Sequence, residues 1–278
     1  MKRTLWFGFF AVVGLLTYGQ TPTKTPAVNN TLLWRISGKN LAKPSYLFGT
    51  MHMLCADDIQ LSDSLVNAIE HADNVYLELD MDNLFEMMSA MTKMKMRNDT
   101  TLADLLPKTE YENVKTYFKA NGNLLPFSML ETFKPLLAAS MIMEQQAGKC
   151  DNMISMEQLI MQESKKSGVS IKGMETMEYQ MSIFDSIPYG FQAKQLVKMI
   201  DDGKSDDSEM KQMTDAYRNQ QLDKLEEITK KEDVGILNFT DLLLYNRNAN
   251  WAKKLEGLMT DKSLVVAVGA GHLPGERG

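Results

Sequence analysis

Ser45-Tyr46-Leu47-Phe48-Gly49-Thr50-Met51-His52 and Leu264-Val265-Val266-Ala267-Val268-Gly269-Ala270-Gly271-His272 share one frame: an apolar run, a Gly, and a His three residues later. The chain has three histidines, so two of them stand in this frame at opposite ends. Both runs read as strands. In open α/β sheets ligands bind outside the carboxyl ends of the strands, which is where both histidines would emerge. The glycines at 49 and 269 are expected to permit the sharp turn that swings each side chain over the sheet edge.

Working outward, residues 31–36 read as a strand joined to 45–48 by a turn-rich, hairpin-like segment. Leu61, Leu65, Ala68, Ile69 and Ala72 recur at helical spacing, with Ser62 placed to cap the start. In 74–80, Val75, Leu77 and Leu79 take one face of a strand, and Tyr76, Glu78 and Asp80 take the other. Residues 81–161 read as almost entirely helical, with breaks near Asp99, Asn121 and Gly148. A short strand at 169–171 ends at Gly173-Met174-Glu175, and Glu175 is expected to begin a helix. More helix follows to about Met259, interrupted near Pro188 and in the polar stretch 201–208. The fold class is therefore α/β, with a mixed central sheet built from strands near both chain ends and a large helical middle.

Four of these strands deliver a candidate group at or near the carboxyl end: His52, Glu78, Glu175 and His272. Two imidazoles with one or two carboxylates suit a divalent metal that keeps open positions, and without metal they suit acid–base chemistry. Each residue also has a plain reading. Glu78 could face solvent, Glu175 could favour a helix dipole, and Arg247 on a helical run is ordinarily exposed, though it could clamp an anion. His71, beside Glu70 and Asp73, reads as solvated surface. Since His52 and His272 lie on loops, truncating either is expected to open no core cavity. The methionines 87, 88, 91, 94 and 96 have helical spacing and read as adaptable core filling or a partner-facing surface. There is no G-x-S-x-G, H-E-x-x-H, P-loop or C-x-x-C.

The first nineteen residues have the layout of a signal peptide: Lys2-Arg3, an apolar run over 5–16, and small residues before Gln20. An uncleaved anchor is the alternative reading. Residues 20–30 form a polar, Pro-containing lead, and 31–278 form the main domain. The formal charge is −6 and becomes more negative once Lys2 and Arg3 are lost. No basic cluster remains to neutralise phosphates, so nucleic acid is a poor partner. After signal removal no segment reaches the length of a membrane span. Export makes a Cys55–Cys150 disulfide the favoured use of the two cysteines, with two buried thiols as the alternative.

The paired motifs Phe48-Gly-Thr-Met-His52 and Val268-Gly-Ala-Gly-His-Leu-Pro-Gly275 resemble the G-x-x-H signature of the TraB/GumN family, to which the Tiki proteases belong. Tyr76-Leu-Glu-Leu-Asp80, Gly173-Met-Glu-Thr176 with Gln180, and Arg247-Asn-x-x-Trp251 agree in order over about residues 31–278. The resemblance implies a fold related to the erythromycin-esterase and ChaN-like group. It also implies metal-dependent proteolysis of a peptide or protein substrate, with manganese or cobalt favoured and zinc also able to serve. Carried over, His52, His272 and Glu78 would bind the metal. Glu78, Glu175, Arg247 and Asn248 would be the catalytic residues. Family members usually continue through another helix and strand after the point reached at Gly278, so the domain is expected to be truncated at its C-terminus, or else to lack that last element. A non-catalytic protein holding a metal, haem or small ligand in the same crevice is the second reading, and a metal-free His/Glu hydrolase is the third.

Overall fold

The computed structural model describes residues 30–52, 54–83, 88, 91–121, 125–147, 152–202, 207–231 and 236–278. The expected signal peptide, nearly all of the lead, Cys150 and Met87 lie outside the described residues. In chain order the strands are β1 (Leu33–Ile36), β2 (Ser45–Thr50), β3 (Leu54–Cys55), β4 (Asn74–Leu79), β5 (Met153–Ile154), β6 (Ile171–Glu175) and β7 (Leu264–Gly269). The helices are α1 (Asp63–Glu70), α2 (Leu102–Leu105), α3 (Lys108–Ala120), α4 (Phe127–Leu130), α5 (Pro135–Ala147), α6 (Met156–Lys166), α7 (Met177–Asp185), α8 (Tyr189–Asp202), α9 (Asp207–Arg218), α10 (Leu222–Lys231) and α11 (Asn246–Leu258).

Five strands form one sheet in the order β1-β2-β7-β4-β6. β1 runs antiparallel to β2, and the β2/β7, β7/β4 and β4/β6 pairs are parallel. The sheet is therefore mixed, and strands from the two chain ends meet at its centre. A central parallel strand is covered on both faces and reads as a continuous apolar run. β7 shows this clearly. Val265 and Ala267 pack into one core with Leu65, Ile69, Leu77 and Ile160, while Leu264, Val266 and Val268 pack into another with Tyr76, Trp251 and Leu255. Thus α1, α6, α9 and α10 cover one face and α11 covers the other. A separate apolar cluster holds the helical middle together around Val114, Phe133, Ile142 and Leu196.

Local chemistry sets the element ends. Ser62 accepts from the Leu65 amide and starts α1 as the sequence predicts. The strand expected at 169–171 instead spans Ile171–Glu175. Glu175 is its last residue, and Thr176 caps the following helix by accepting from the Tyr179 amide. The cause is lateral pairing: Gly173 and Glu175 match Leu77 and Leu79 of β4, so the ladder carries the chain past the apolar residues alone. The two-residue ladder β3/β5 has no periodic signal in the sequence. His71 ends α1 in an exposed position, as expected, with Nδ1 2.9 Å from the Asn67 carbonyl. Met88 and Met91 are exposed, while Met96 is buried.

Candidate active site

The register brings the two G-x-x-H motifs together. On adjacent strands Gly49 pairs with Val268 and Thr50 with Gly269, so both histidines leave the same sheet edge one residue out of step. They line one cleft of about 650 Å3 together with Glu78, Arg247, Tyr217 and Leu225. Neither glycine adopts a left-handed conformation; among the described residues the positive-φ glycines are Gly168 and Gly275. The turn expectation is therefore corrected, because close approach explains both positions. A Cβ at Gly49 would lie 2.7 Å from Leu273 Cδ1 and 3.2 Å from Ala270 Cα. A Cβ at Gly269 would lie 3.3 Å from Glu78 Oε1, which accepts from the Gly269 amide at 2.8 Å.

Arg247 sits at the centre of the site's charges. It is buried rather than exposed, which corrects the expectation for a helical Arg. A π-turn (Asp241–Tyr245) precedes α11, and Arg247 Nη1 donates to the Leu243 carbonyl within it at 3.0 Å. Such turns often mark functional positions on helices. Nη2 donates to Glu78 Oε2 at 2.5 Å and to Glu175 Oε2 at 2.8 Å, and Nε donates to both Glu175 oxygens. Gln180, one turn into α7, donates to both carboxylates at 3.3 and 3.2 Å. The guanidinium also lies 4.7 Å over the Trp251 ring, a cation–π contact. Burial alone would push the Glu78 carboxyl up. Arg247, His272 and the Gly269 amide more than reverse this and hold it below its ordinary value.

His272 is 5% exposed and stacks on Trp251 with ring centroids 4.6 Å apart. Its truncation would therefore leave a void, contrary to the loop-based expectation. Nδ1 stands 2.6 Å from Asn248 Oδ1, while Asn248 Nδ2 donates to the carbonyls of His272 and Arg277. The amide oxygen can only accept, so Nδ1 carries the proton. Nε2 is left as the lone pair, 3.1 Å from Arg247 Nη1 and 3.8 Å from Glu78 Oε1. Burial pushes the imidazole down to about 4, so this lone pair is present at neutral pH.

His52 stands at the cleft mouth with a side chain 69% exposed, and its Nδ1 lies 2.8 Å from Glu157 Oε1. Glu157 is the residue that the sequence reading missed. It sits in the first turn of α6, which Ser155 and Gln158 cap reciprocally. The capping pair Ser155–Gln158 was legible; the pairing with His52, about a hundred residues away, was not. Glu175 and Asn248 do not line the cleft. They stand behind Arg247 and His272 and hold them in place.

Among the described residues no three His, Cys, Asp or Glu side chains are gathered closely enough to hold a metal ion. His52, Glu78 and His272 line the same cleft without closing into one ligand shell. Glu78 Oε1 and His272 Nε2 do stand together, and their chemistry fits a divalent cation. Two carboxylates against one guanidinium leave a formal negative charge at the cluster. Asn248 fixes His272 as a supporting partner fixes a ligating imidazole.

Two comparisons with known proteins find relatives of the chain. A stretch of 101 residues, 36% of this chain, is 27% identical to the metalloprotease TIKI2 of Danio rerio. That match spans 20% of the relative's own length. No solved structure matches the chain, so the kinship with the erythromycin-esterase and ChaN-like group stays with the resemblance alone. The family model for TraB/PrgY/gumN matches residues 32–278, from just before β1 through both histidine motifs, and the chain belongs to that family.

Proposed function

We propose that this chain is an exported metal-dependent hydrolase acting on peptide bonds. The observation that carries this reading is the meeting of two histidines, Glu78 and Arg247 on one cleft at the carboxyl ends of the sheet's parallel strands. The TIKI2 relative supports the metal and the protein substrate. His272 and Glu78 would hold the ion, with His52 as the donor from the cleft mouth. Manganese or cobalt is favoured, with zinc as a further candidate. When bound, such an ion supplies Lewis acidity and lowers the pKa of water.

The chain's own residues do the rest. Glu78 accepts from Arg247 and Gly269, which makes it a weak base and suits it to ligation more than to proton abstraction. Asn248 holds the His272 tautomer, and Glu175 with Gln180 holds the guanidinium. Arg247 keeps its positive charge on the cleft wall, where charge develops on the carbonyl oxygen of an attacked peptide. Apolar Leu225 and Leu244 flank the same cleft.

The test compares peptide cleavage by the chelated protein with and without added manganese or cobalt. His272→Gln keeps volume against Trp251 and Glu78→Gln keeps shape. Both are expected to lose metal content and cleavage together, with kcat/KM down at least a hundredfold, roughly 3 kcal/mol. Metal binding without cleavage by any loaded form would favour the second reading, a ligand-binding protein. The Arg247 pairing supports that reading, because it already satisfies both carboxylates.

We also propose the signal peptide over 1–19, the lead over 20–30 and a single domain over 31–278, with a periplasmic or extracellular location. The described residues contain no helix long and apolar enough to cross a membrane. N-terminal sequencing of native protein is expected to begin near Gln20. An intact Met1 on a membrane-bound form would overturn export.

A further inference from the structure

The two site histidines are held in the same manner by unlike partners. His272 Nδ1 lies 2.6 Å from Asn248 Oδ1, and His52 Nδ1 lies 2.8 Å from Glu157 Oε1. Each partner comes from a helix rather than from the strand that delivers the histidine. In each case the helix partner takes Nδ1 and leaves Nε2 outside that pair; the Nε2 of His272 accepts from Arg247 Nη1 at 3.1 Å. Histidines that ligate metals are usually oriented this way, with a carboxylate or carbonyl on the second ring nitrogen.

Glu157 has features that packing alone does not account for. Its side chain is only 15% exposed, and its polar neighbours are the His52 imidazole and the Thr50 hydroxyl. Thr50, on the strand end that leads into His52, is likewise buried. Burying a carboxylate is costly unless a specific partner offsets it. Position in the first turn of α6 offsets part of that cost, and His52 offsets more. A residue serving only as a helix-end charge would be expected to reach solvent.

We infer that Glu157 is the positioning residue for His52: it holds Nδ1 and keeps Nε2 available to the cleft shared with Glu78 and His272. This rests on the metal-site reading for its purpose and on the His52–Glu157 geometry for its existence. The arrangement makes the cleft mouth a second His–carboxylate pair opposite the buried one. In parallel with Asn248, Glu157 fixes a tautomer. Unlike Asn248, it also brings a negative charge that makes its imidazole a stronger donor.

Two measurements on full-length mature protein separate the parts of this inference. First, 15N imidazole shifts of the metal-free protein at pH 8 report the tautomer without any ligand, with His52 assigned by its loss in His52→Ala. Wild type is expected to show His52 protonated at Nδ1. Glu157→Ala is expected to move it toward the tautomer mixture of a free imidazole, and Glu157→Gln, which keeps an accepting oxygen, is expected to restore most of the wild-type signal. Second, manganese titration followed by calorimetry is expected to show affinity reduced about 10–100-fold in Glu157→Ala. The same loss should nearly vanish when measured on a His52→Ala background. Unchanged His52 shifts together with wild-type manganese affinity in Glu157→Ala would overturn the inference. If Glu157→Ala fails to fold, wild-type shifts in Glu157→Leu would overturn it equally. A wild type that binds neither manganese nor cobalt, but whose His52 shifts respond to Glu157→Ala, would sink the metal reading and leave the positioning role standing.

Discussion

Arg247 concentrates the site's charge on one side chain. It donates to both carboxylates, touches His272 Nε2 and lies over Trp251. Removing one partner of a buried charge cluster costs more than the cluster contributes, because the remaining charges stay desolvated. Arg247→Met should therefore lower unfolding free energy by about 3–5 kcal/mol. Arg247→Lys restores a charge but not the planar fork that reaches Glu78 and Glu175 together, so it should recover only part of that loss. Urea unfolding with an unchanged m-value checks both. Full recovery by Lys would mean that charge alone, and not the fork, holds the cluster.

At the scale of elements, the β2 end and the 270–273 turn are packed too closely for a side chain at Gly49. Gly49→Ala should cost roughly 1–3 kcal/mol, since the new methyl meets backbone at Ala270 as well as the movable Leu273 tip. A melting temperature equal to wild type would show that the turn yields freely. Thr176→Ala should cost about 1 kcal/mol by removing the α7 cap, and it should also loosen Gln180 beneath the two carboxylates. In the helical middle, buried Lys134 donates to the Met181 carbonyl at 2.7 Å and to Asp185 at 3.1 Å, joined by Tyr189 and Arg97. Burial pushes the Asp185 carboxyl up, but the hydrogen bonds from Tyr189 and Lys134 outweigh it and leave it below its ordinary value. A depressed carboxyl stabilises the fold above its unfolded pKa, and that stability is lost as pH falls through the folded value. The wild-type melting temperature should therefore drop below about pH 4. Asp185→Asn should be less stable at pH 7 and flatter in that acid range. Parallel curves for the two proteins would remove Asp185 from the account.

At the scale of the molecule, one sheet with helices on both faces carries the site, and the separate cluster around Phe133 and Ile142 holds the helical middle. A Cys55–Cys150 bridge, the pairing expected from the sequence, would tie the segment just past His52 to the middle of the chain. Non-reducing peptide mapping of exported protein is expected to yield the linked pair, and reduction should cost about 2–4 kcal/mol. Two free thiols in freshly isolated protein would refute the bridge.

The sequence by itself determined the α/β class and the pairing of the two histidines. Strand runs, glycines and cap residues are local signals, and Ser62 before α1 is one of them. It also marked Glu78, Glu175, Arg247 and Asn248 through the family's ordered motifs. Only the tertiary structure decided that Arg247 is buried and that Glu175 and Asn248 support the site from behind. It also decided that Gly49 is required by close approach, that His272 packs on Trp251, and that His52 is partnered by Glu157. Each of these depends on which distant segments become neighbours. Sheet register and helix packing set that relation, and no local period in the chain records it.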